Sequence, residues 1–260
     1  MQRKLEAVGV GWDVGEQTIL RAVDLELDQG ECLVVVGPNG AGKTTFLRLL
    51  AGLLQPTHGN LFWEQQAYDE LSRRDLARRI AYVPQSRPLR VPLTVEQLVL
   101  LGRYPYLSAF RLAPRESDFE AVARAMELAG VDELGPRRLE ELSGGERQSA
   151  YIAAALAQEA EVLILDEPTT HLDPRHQRQI SALLLRLNRE QGMSVVVATH
   201  DLNFAGLLAH RILALRAGQV LACESPQELL QPERLAEVFE APFTVVRGGE
   251  RPVTLLEMEP

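Results

Sequence analysis

Apolar and polar positions divide the chain into stretches of different period. In residues 1–30, apolar side chains recur at Leu5, Ala7, Val8 and Val10, then at Ile19, Leu20, Val23, Leu25 and Leu27. With Gly11, Gly15 and Gly30 as breaks, this pattern predicts short antiparallel strands. The unbroken run Leu33–Val36 predicts a buried strand, and Phe46, Leu47 and Leu50 have the spacing of a helix over Lys43–Ala51, stopped by Gly52. A further strand is predicted at Ile80–Val83, closed by Pro84. From Pro88 to Leu139 the pattern turns to helices and loops. Thr94 with Gln97, and Ser117 with Glu120, predict capping boxes, the second ahead of a face made by Phe119, Val122, Ala123 and Met126.

The alternation of strand and helix then returns. A helix is predicted from Glu146, and a strand at Val162–Leu165. Asp173 and Pro174 open another helix, with Ile180, Leu183, Leu184 and Leu187 as its buried stripe and Gly192 as its stop. A strand follows at Val195–Ala198, and a hairpin joins Ile212–Leu215 to Val220–Cys223 through Ala217-Gly218. Past Pro226 the pattern predicts two short helices and a last hairpin around Gly248-Gly249. Strands alternating with helices predict an α/β fold with a mainly parallel sheet, whose ligands sit at the carboxyl ends of the strands.

Composition narrows the function classes. The 260 residues are 46% hydrophobic and 24% charged, an ordinary balance for a soluble chain that can bury a full core. A net charge of −9 argues against broad binding to nucleic acid, so no nucleic-acid partner is expected. The two cysteines, Cys32 and Cys223, are expected to be reduced thiols, as suits the cytoplasm. No apolar run has the length of a signal-peptide core or a membrane span. A membrane role would therefore come through a partner.

The chemistry concentrates in short motifs. Gly37-Pro38-Asn39-Gly40-Ala41-Gly42-Lys43-Thr44 matches G-x-x-x-x-G-K-[ST], between a predicted strand and a predicted helix. Such a loop turns backbone N–H groups inward, and the helix N-terminus adds partial positive charge. Lys43 would reach the β- and γ-phosphates and the Thr44 hydroxyl would ligate Mg²⁺. The strand Val162–Leu165 delivers Asp166 and Glu167, whose side chains must point oppositely. Asp166 toward the metal leaves Glu167 as candidate base for an attacking water. In Leu142-Ser143-Gly144-Gly145-Glu146, Ser143 and Glu146 alone make a capping box. Two glycines in a first turn cost roughly 1 kcal/mol each, a loss explained if backbone must approach a phosphate closely.

The order of glycine loop, Val83-Pro84-Gln85, Leu-Ser-Gly-Gly-Glu, Asp166-Glu167, His171-Leu172-Asp173 and Thr199-His200-Asp201 resembles the ATP-binding-cassette ATPases over essentially the whole chain. The resemblance implies a P-loop NTPase (RecA-like) core with an N-terminal antiparallel β-subdomain and an inserted helical subdomain. Residues 1–87 and 141–225 would form the core, 88–140 the insert that docks on a permease, and 226–260 a C-terminal extension. It implies ATP and Mg²⁺ as ligands. Residues 37–44, with Thr45, would hold the nucleotide, and Thr44, Gln85 and Asp166 the metal. Glu167, His200 and Gln85 would be catalytic, His200 as a γ-phosphate contact. Ser143, Gly144, Gly145 and Glu146 would close on the nucleotide of a second copy in a head-to-tail dimer, with Asp173 at the interface. The family stacks an aromatic on adenine; Trp12 would serve, or else belongs to a hairpin core. His171 replaces a commoner small residue, and its five-residue distance from His176 predicts no zinc site.

Leu101-Gly102-Arg103-Tyr104-Pro105-Tyr106-Leu107, Thr169-Thr170-His171-Leu172-Asp173, and the tail Pro226–Leu230 with Val238-Phe239 resemble the ATPases of importers for ferric siderophores, haem and cobalamin. This implies an ATP-hydrolysing motor on the cytoplasmic face of the cell (inner) membrane. It would be held there by permease subunits and coupled indirectly to a substrate-binding protein. Tyr104, Tyr106 and Phe110 would form either a docking patch or a small satellite core. Importers or exporters of other cargo are the nearer rivals, because the motor does not touch what is carried. A soluble cassette protein would be expected to carry long coiled-coil insertions or two cassettes.

Overall fold

A computed structural model describes residues 2–85, 92–107, 113–248 and 251–256. Its first two strands, β1 (Arg3–Val14) and β2 (Gln17–Asp28), are longer than the alternation predicts. Bulges between Ala7 and Val10 and between Val10 and Trp12 shift the register without ending the pairing. The chain continues through β3 (Cys32–Val36), α1 (Lys43–Leu50), β4 (His58–Trp63), β5 (Gln66–Ala67), α2 (Arg73–Arg79) and β6 (Ile80–Val83). Helices α3 (Val95–Leu101), α4 (Glu116–Ala129) and α5 (Gly144–Leu156) follow, then β7 (Val162–Asp166), α6 (Pro174–Gln191), β8 (Ser194–Ala198) and α7 (Leu202–Leu208). The chain closes with β9 (Arg211–Arg216), β10 (Gln219–Glu224), α8 (Pro226–Leu229), α9 (Pro232–Phe239), β11 (Phe243–Gly248) and β12 (Arg251–Leu256). The hairpin predicted near Gly248-Gly249 is β11–β12, although Gly249 itself lies outside the described residues.

The central sheet has the order β10-β9-β3-β8-β7-β6, parallel except for the β10 edge. A second, antiparallel sheet has the order β2-β1-β4-β5. Every residue of β3, β7 and β8 is buried, as a parallel sheet covered on both faces requires. The period of two then splits each strand between two cores. Val34, Val36, Leu163, Leu165, Val195 and Val197 pack toward the helices α3 to α7. Leu33, Val35, Ile164 and Val196 pack with Phe46, Leu47 and Leu50 of α1 and with the antiparallel sheet.

Two local expectations are corrected in α4. Ser117 and Glu120 do not cap it: the helix starts at Glu116, and Asp118 accepts the N–H of Arg115 at 2.9 Å. Its buried stripe is accordingly Asp118, Ala121, Val122, Ala125 and Met126, which leaves Phe119 half exposed and Ala123 outside. Asp118 overrides the hydrophobic pattern because it is tied to a buried partner. Arg103 donates to Asp118 (2.9 Å), to Glu159 (2.7 Å) and to the carbonyl of Ala157 (2.7 Å). Its guanidinium also lies 3.9 Å over the Tyr106 ring. The Tyr106 hydroxyl donates to the Gln158 carbonyl, while Arg74 and Arg78 both donate to that of Pro105. The aromatic pair therefore divides: Tyr106 is part of an internal clamp, and Tyr104 is 72% exposed. Phe110 lies outside the described residues.

Candidate nucleotide site

The site begins where β3 ends. Val35 stands beside Ala198 of β8, and Ala198 beside Asp166 of β7, so three strand ends lie level and adjacent. The loop 37–42 leaves β3 there and feeds α1. Gly42 takes a left-handed φ of 101° at the helix start, and a Cβ there would come within 2.7 Å of Leu20. At Gly37 (φ 148°) a Cβ would overlap the carbonyl oxygen of Leu215. Both positions thus require glycine on steric grounds. No side chain caps α1 and its first turn holds no acid, so no side-chain cap takes the amides with which a helix N-terminus accepts an anion.

Lys43 is 8% exposed and folds back over the loop, donating to the carbonyls of Gly37 (2.7 Å) and Pro38 (3.1 Å). Burial pushes its pKa down, against the raising influence of Glu167 and Asp166. An ammonium has three donors, and two are engaged by the loop's own carbonyls. Thr44 donates its hydroxyl to Asp166 Oδ1 (3.1 Å), and Tyr82 donates to Oδ2 (3.3 Å). Asp166 is buried, which pushes its carboxyl above the ordinary range while the two hydroxyls hold it back. Burial and the neighbouring Asp166 charge push the Tyr82 phenol up to about 12, so it remains a donor. A carboxylate and a threonine hydroxyl, hydrogen-bonded together beside a glycine loop, fit the oxygen donor set of Mg²⁺.

Glu167 stands just past the end of β7, and its carboxylate has a separate set of partners. Its backbone is left-handed (φ 50°), a conformation that a non-glycine residue holds only where its surroundings impose it. One carboxylate oxygen accepts both the Thr170 hydroxyl (2.8 Å) and His200 Nδ1 (2.8 Å). A carboxylate only accepts, so the exposed imidazole donates through Nδ1, and Nε2 has no recorded partner among the described residues. Thr170 and Tyr82 escaped the sequence reading. The three-residue spacing of Thr170 from Glu167 was a usable signal; the contact of Tyr82 with Asp166 has none.

The other predicted residues are distributed around this centre. Gln85 is exposed just past β6, whose Val83 pairs with Leu165 of β7. Trp12 is half-buried and pairs across the hairpin with Leu20, the neighbour of Gly42. Ser143 and Glu146 form a complete capping box, Glu146 donating its N–H to Ser143 Oγ (3.2 Å) and accepting the Ser143 N–H (2.8 Å). That helix starts at Gly144, two residues before the predicted Glu146. The recorded neighbours of Gly144 and Gly145 are Leu172 and His176 of the following loop and helix. Asp173 caps α6 by accepting the N–H of His176 (2.9 Å). Both cysteines are free, and burial pushes both thiols up. Among the described residues no helix is long and apolar enough to cross a membrane.

The family model described as "ABC transporter" matches residues 20–170. The petrobactin import ATP-binding protein FpuD of Bacillus anthracis is 39% identical over 239 residues, 92% of this chain and 87% of that protein. The hemin import ATP-binding protein HmuV of Pseudomonas aeruginosa is 40% identical over 242 residues, 91% and 92% of the two chains. Among solved structures, a metal-chelate type ABC transporter in an inward-facing conformation superposes with a TM-score of 0.86 at 27% identity, covering 99% of this chain and 98% of its own. A dimeric ATP-binding cassette in a post-hydrolysis state with ADP and phosphate superposes at 0.73 with 29% identity, covering 85% and 98%. With the family model matching more than half of the chain and relatives near 40% identical over nine-tenths of it, this chain belongs to the ABC transporter family of ATPases.

Proposed function

We propose that this chain is the ATP-hydrolysing motor subunit of a membrane importer for iron chelates of the siderophore or haem class, or for cobalamin. The observation that carries the catalytic part is the meeting of Lys43, Asp166, Glu167 and His200 at three adjacent strand ends. The cargo class rests on what the relatives' names say of those proteins, petrobactin import and hemin import.

In this reading the backbone N–H groups of the loop 37–45 other than Pro38, with the Lys43 ammonium, bind the phosphates, and the partly exposed Trp12 offers its ring to adenine. Thr44, Asp166 and Gln85 hold Mg²⁺, which when bound neutralises charge on the phosphate oxygens. Glu167 takes the proton of the attacking water, and His200 Nε2 contacts the γ-phosphate end. The segment 143–146 serves the nucleotide of a second copy arranged head to tail, with Asp173 at their interface. Residues 1–87 and 141–225 form the motor core, residues 88–140 dock on the permease with Tyr104 exposed among them, and 226–260 extend it. The subunit thus works at the cytoplasmic face of the cell membrane through its permease. Binding closes the pair and hydrolysis releases it, so the permease is biased between its two facing states. Co-purification with a permease and a substrate-binding protein, followed by ATPase assays with ferric siderophore, haem and cobalamin, tests the cargo. Stimulation by none of them overturns the assignment.

Lys43→Ala is expected to weaken ATP binding about 100-fold, the loss of a charge-assisted phosphate contact of about 3 kcal/mol. Equilibrium binding of a fluorescent ATP analogue measures it, and unchanged affinity would remove Lys43 from the phosphate site. Asp166→Asn should separate function from stability. The raised carboxyl of Asp166 means that its contribution to folding is full below the ordinary carboxylate range and is lost as pH rises through the folded value. Near neutral pH the ligand-free variant is therefore expected to keep its Tm or gain about 2–4 °C, while Mg²⁺-dependent hydrolysis disappears. A fall in Tm in thermal scans would show instead that the acid supports the fold.

A further inference from the structure

The N-termini of α5 and α6 lie side by side, and one side chain fills the space between them. His176, the third residue of α6, sets its ring against Gly145 in the first turn of α5; a Cβ on Gly145 would overlap ring atoms Cγ and Cδ2. The same ring reaches back to its own helix cap. Nδ1 lies 2.7 Å from Asp173 Oδ2, while the His176 N–H reaches Oδ1 at 2.9 Å. Both oxygens of Asp173 are thus engaged by one residue. The cap needs only the backbone bond, so the ring contact is additional to what α6 requires. It is also the contact that excludes any side chain from position 145. Leu172 adds a second touch, lying 3.8 Å from where a Cβ of Gly144 would be. Glu146, the acid of α5, accepts the Ser143 N–H and acts on the imidazole only through its charge, whereas Asp173 makes the hydrogen bond to the ring. The His176 side chain is 22% exposed, whereas that of Asp173 is 57% exposed, so the ring stands inside and the carboxylate faces out.

We infer that His176 is a positioning residue that locks segment 143–146 and the Asp173 loop into one rigid surface. This rests on the reading that both segments face the nucleotide site of a second copy. Two loops ordered before docking lose less freedom on association than two loops that must be ordered by it. The lock therefore acts on closure of the pair and not on the subunit's own hold on ATP, which lies with the loop after β3. It also makes the two interface segments move together, so a change at Asp173 is passed to the segment that contacts the partner's ATP.

The test uses the full chain carrying Glu167→Gln, with ATP-driven dimerisation followed by analytical ultracentrifugation. Adding His176→Ala is expected to raise the dimer dissociation constant about tenfold, with ATP affinity of the dilute monomer and Tm changed little. Two conservative variants divide the contact. His176→Asn keeps a donor near the Nδ1 position and loses the ring, whereas His176→Phe keeps the ring and loses the donor. Both are expected to fall between the parent and His176→Ala. An unchanged dimer constant in His176→Ala overturns the inference. So does an equal loss of monomer ATP affinity, or a large fall in Tm, because either would mark a merely structural residue. If the Glu167→Gln parent itself fails to dimerise with ATP, the dimer reading falls before any His176 variant is compared, and the inference falls with it.

Discussion

Glu167→Gln is expected to bind ATP like the parent protein and to hydrolyse it about 10² to 10⁴ times more slowly, the range lost when a general base is removed. The substitution is nearly isosteric, and the glutamine oxygen can still accept the Thr170 hydroxyl that Glu167 accepts at 2.8 Å. What it loses is basicity. Glu167 is held at a left-handed backbone position between Thr170 and His200, beside an acid whose own partners are Thr44 and Tyr82. A carboxylate so constrained cannot swing over to share the metal-facing work of Asp166. Phosphate release under saturating ATP and Mg²⁺, alongside an ATP-binding isotherm, separates the two effects. Parental turnover with intact binding would remove Glu167 from the chemistry.

The largest effect on stability is expected at Arg103. Replacing it by methionine keeps a long apolar stem but leaves Asp118, whose side chain is 6% exposed, without its cation. Breaking a buried pair in this way costs about 3–5 kcal/mol, because one charge stays buried and uncompensated. Chemical denaturation should record that loss, and Arg103→Met combined with Asp118→Leu should recover much of it. A loss under about 1 kcal/mol would mean that the Asp118 side chain rotates out to water and that the clamp is dispensable. The clamp joins the segment after α3 to α4 and to the turn before β7, so its loss should loosen the helices before the central sheet.

Much of the site was legible because its chemistry is local. The glycine loop lies between a four-residue apolar run and a helix-spaced stretch, and each part is recognisable within a few residues. The Ser143–Glu146 box could be given from its spacing, whereas the separate partners of Asp166 and Glu167 come from a left-handed turn just past β7 and not from strand alternation. Where spacing misled, a distant residue intervened. Ser117 and Glu120 fit a capping box, yet Asp118 takes that place because Arg103 holds it in the interior. The alternation in residues 1–30 predicted short strands because the bulge at Gly11 reads as a break, whereas pairing with β2 carries β1 through it; Gly15 and Gly30 do lie in turns.

By itself the sequence determined the element types, the phosphate loop, the acids beside it and the family, since each depends on residues close along the chain. The tertiary structure decided which of these meet. Tyr82 reaches Asp166 from 84 residues away, Arg103 reaches Glu159 from 56, and His200 reaches Glu167 from 33. The lock between His176 and Gly145 is likewise visible only when two helix ends lie side by side. The physical reason is that hydrogen bonds, ion pairs and ring packing act over a few ångströms. Their partners are chosen by strand order and helix packing, which no local pattern encodes.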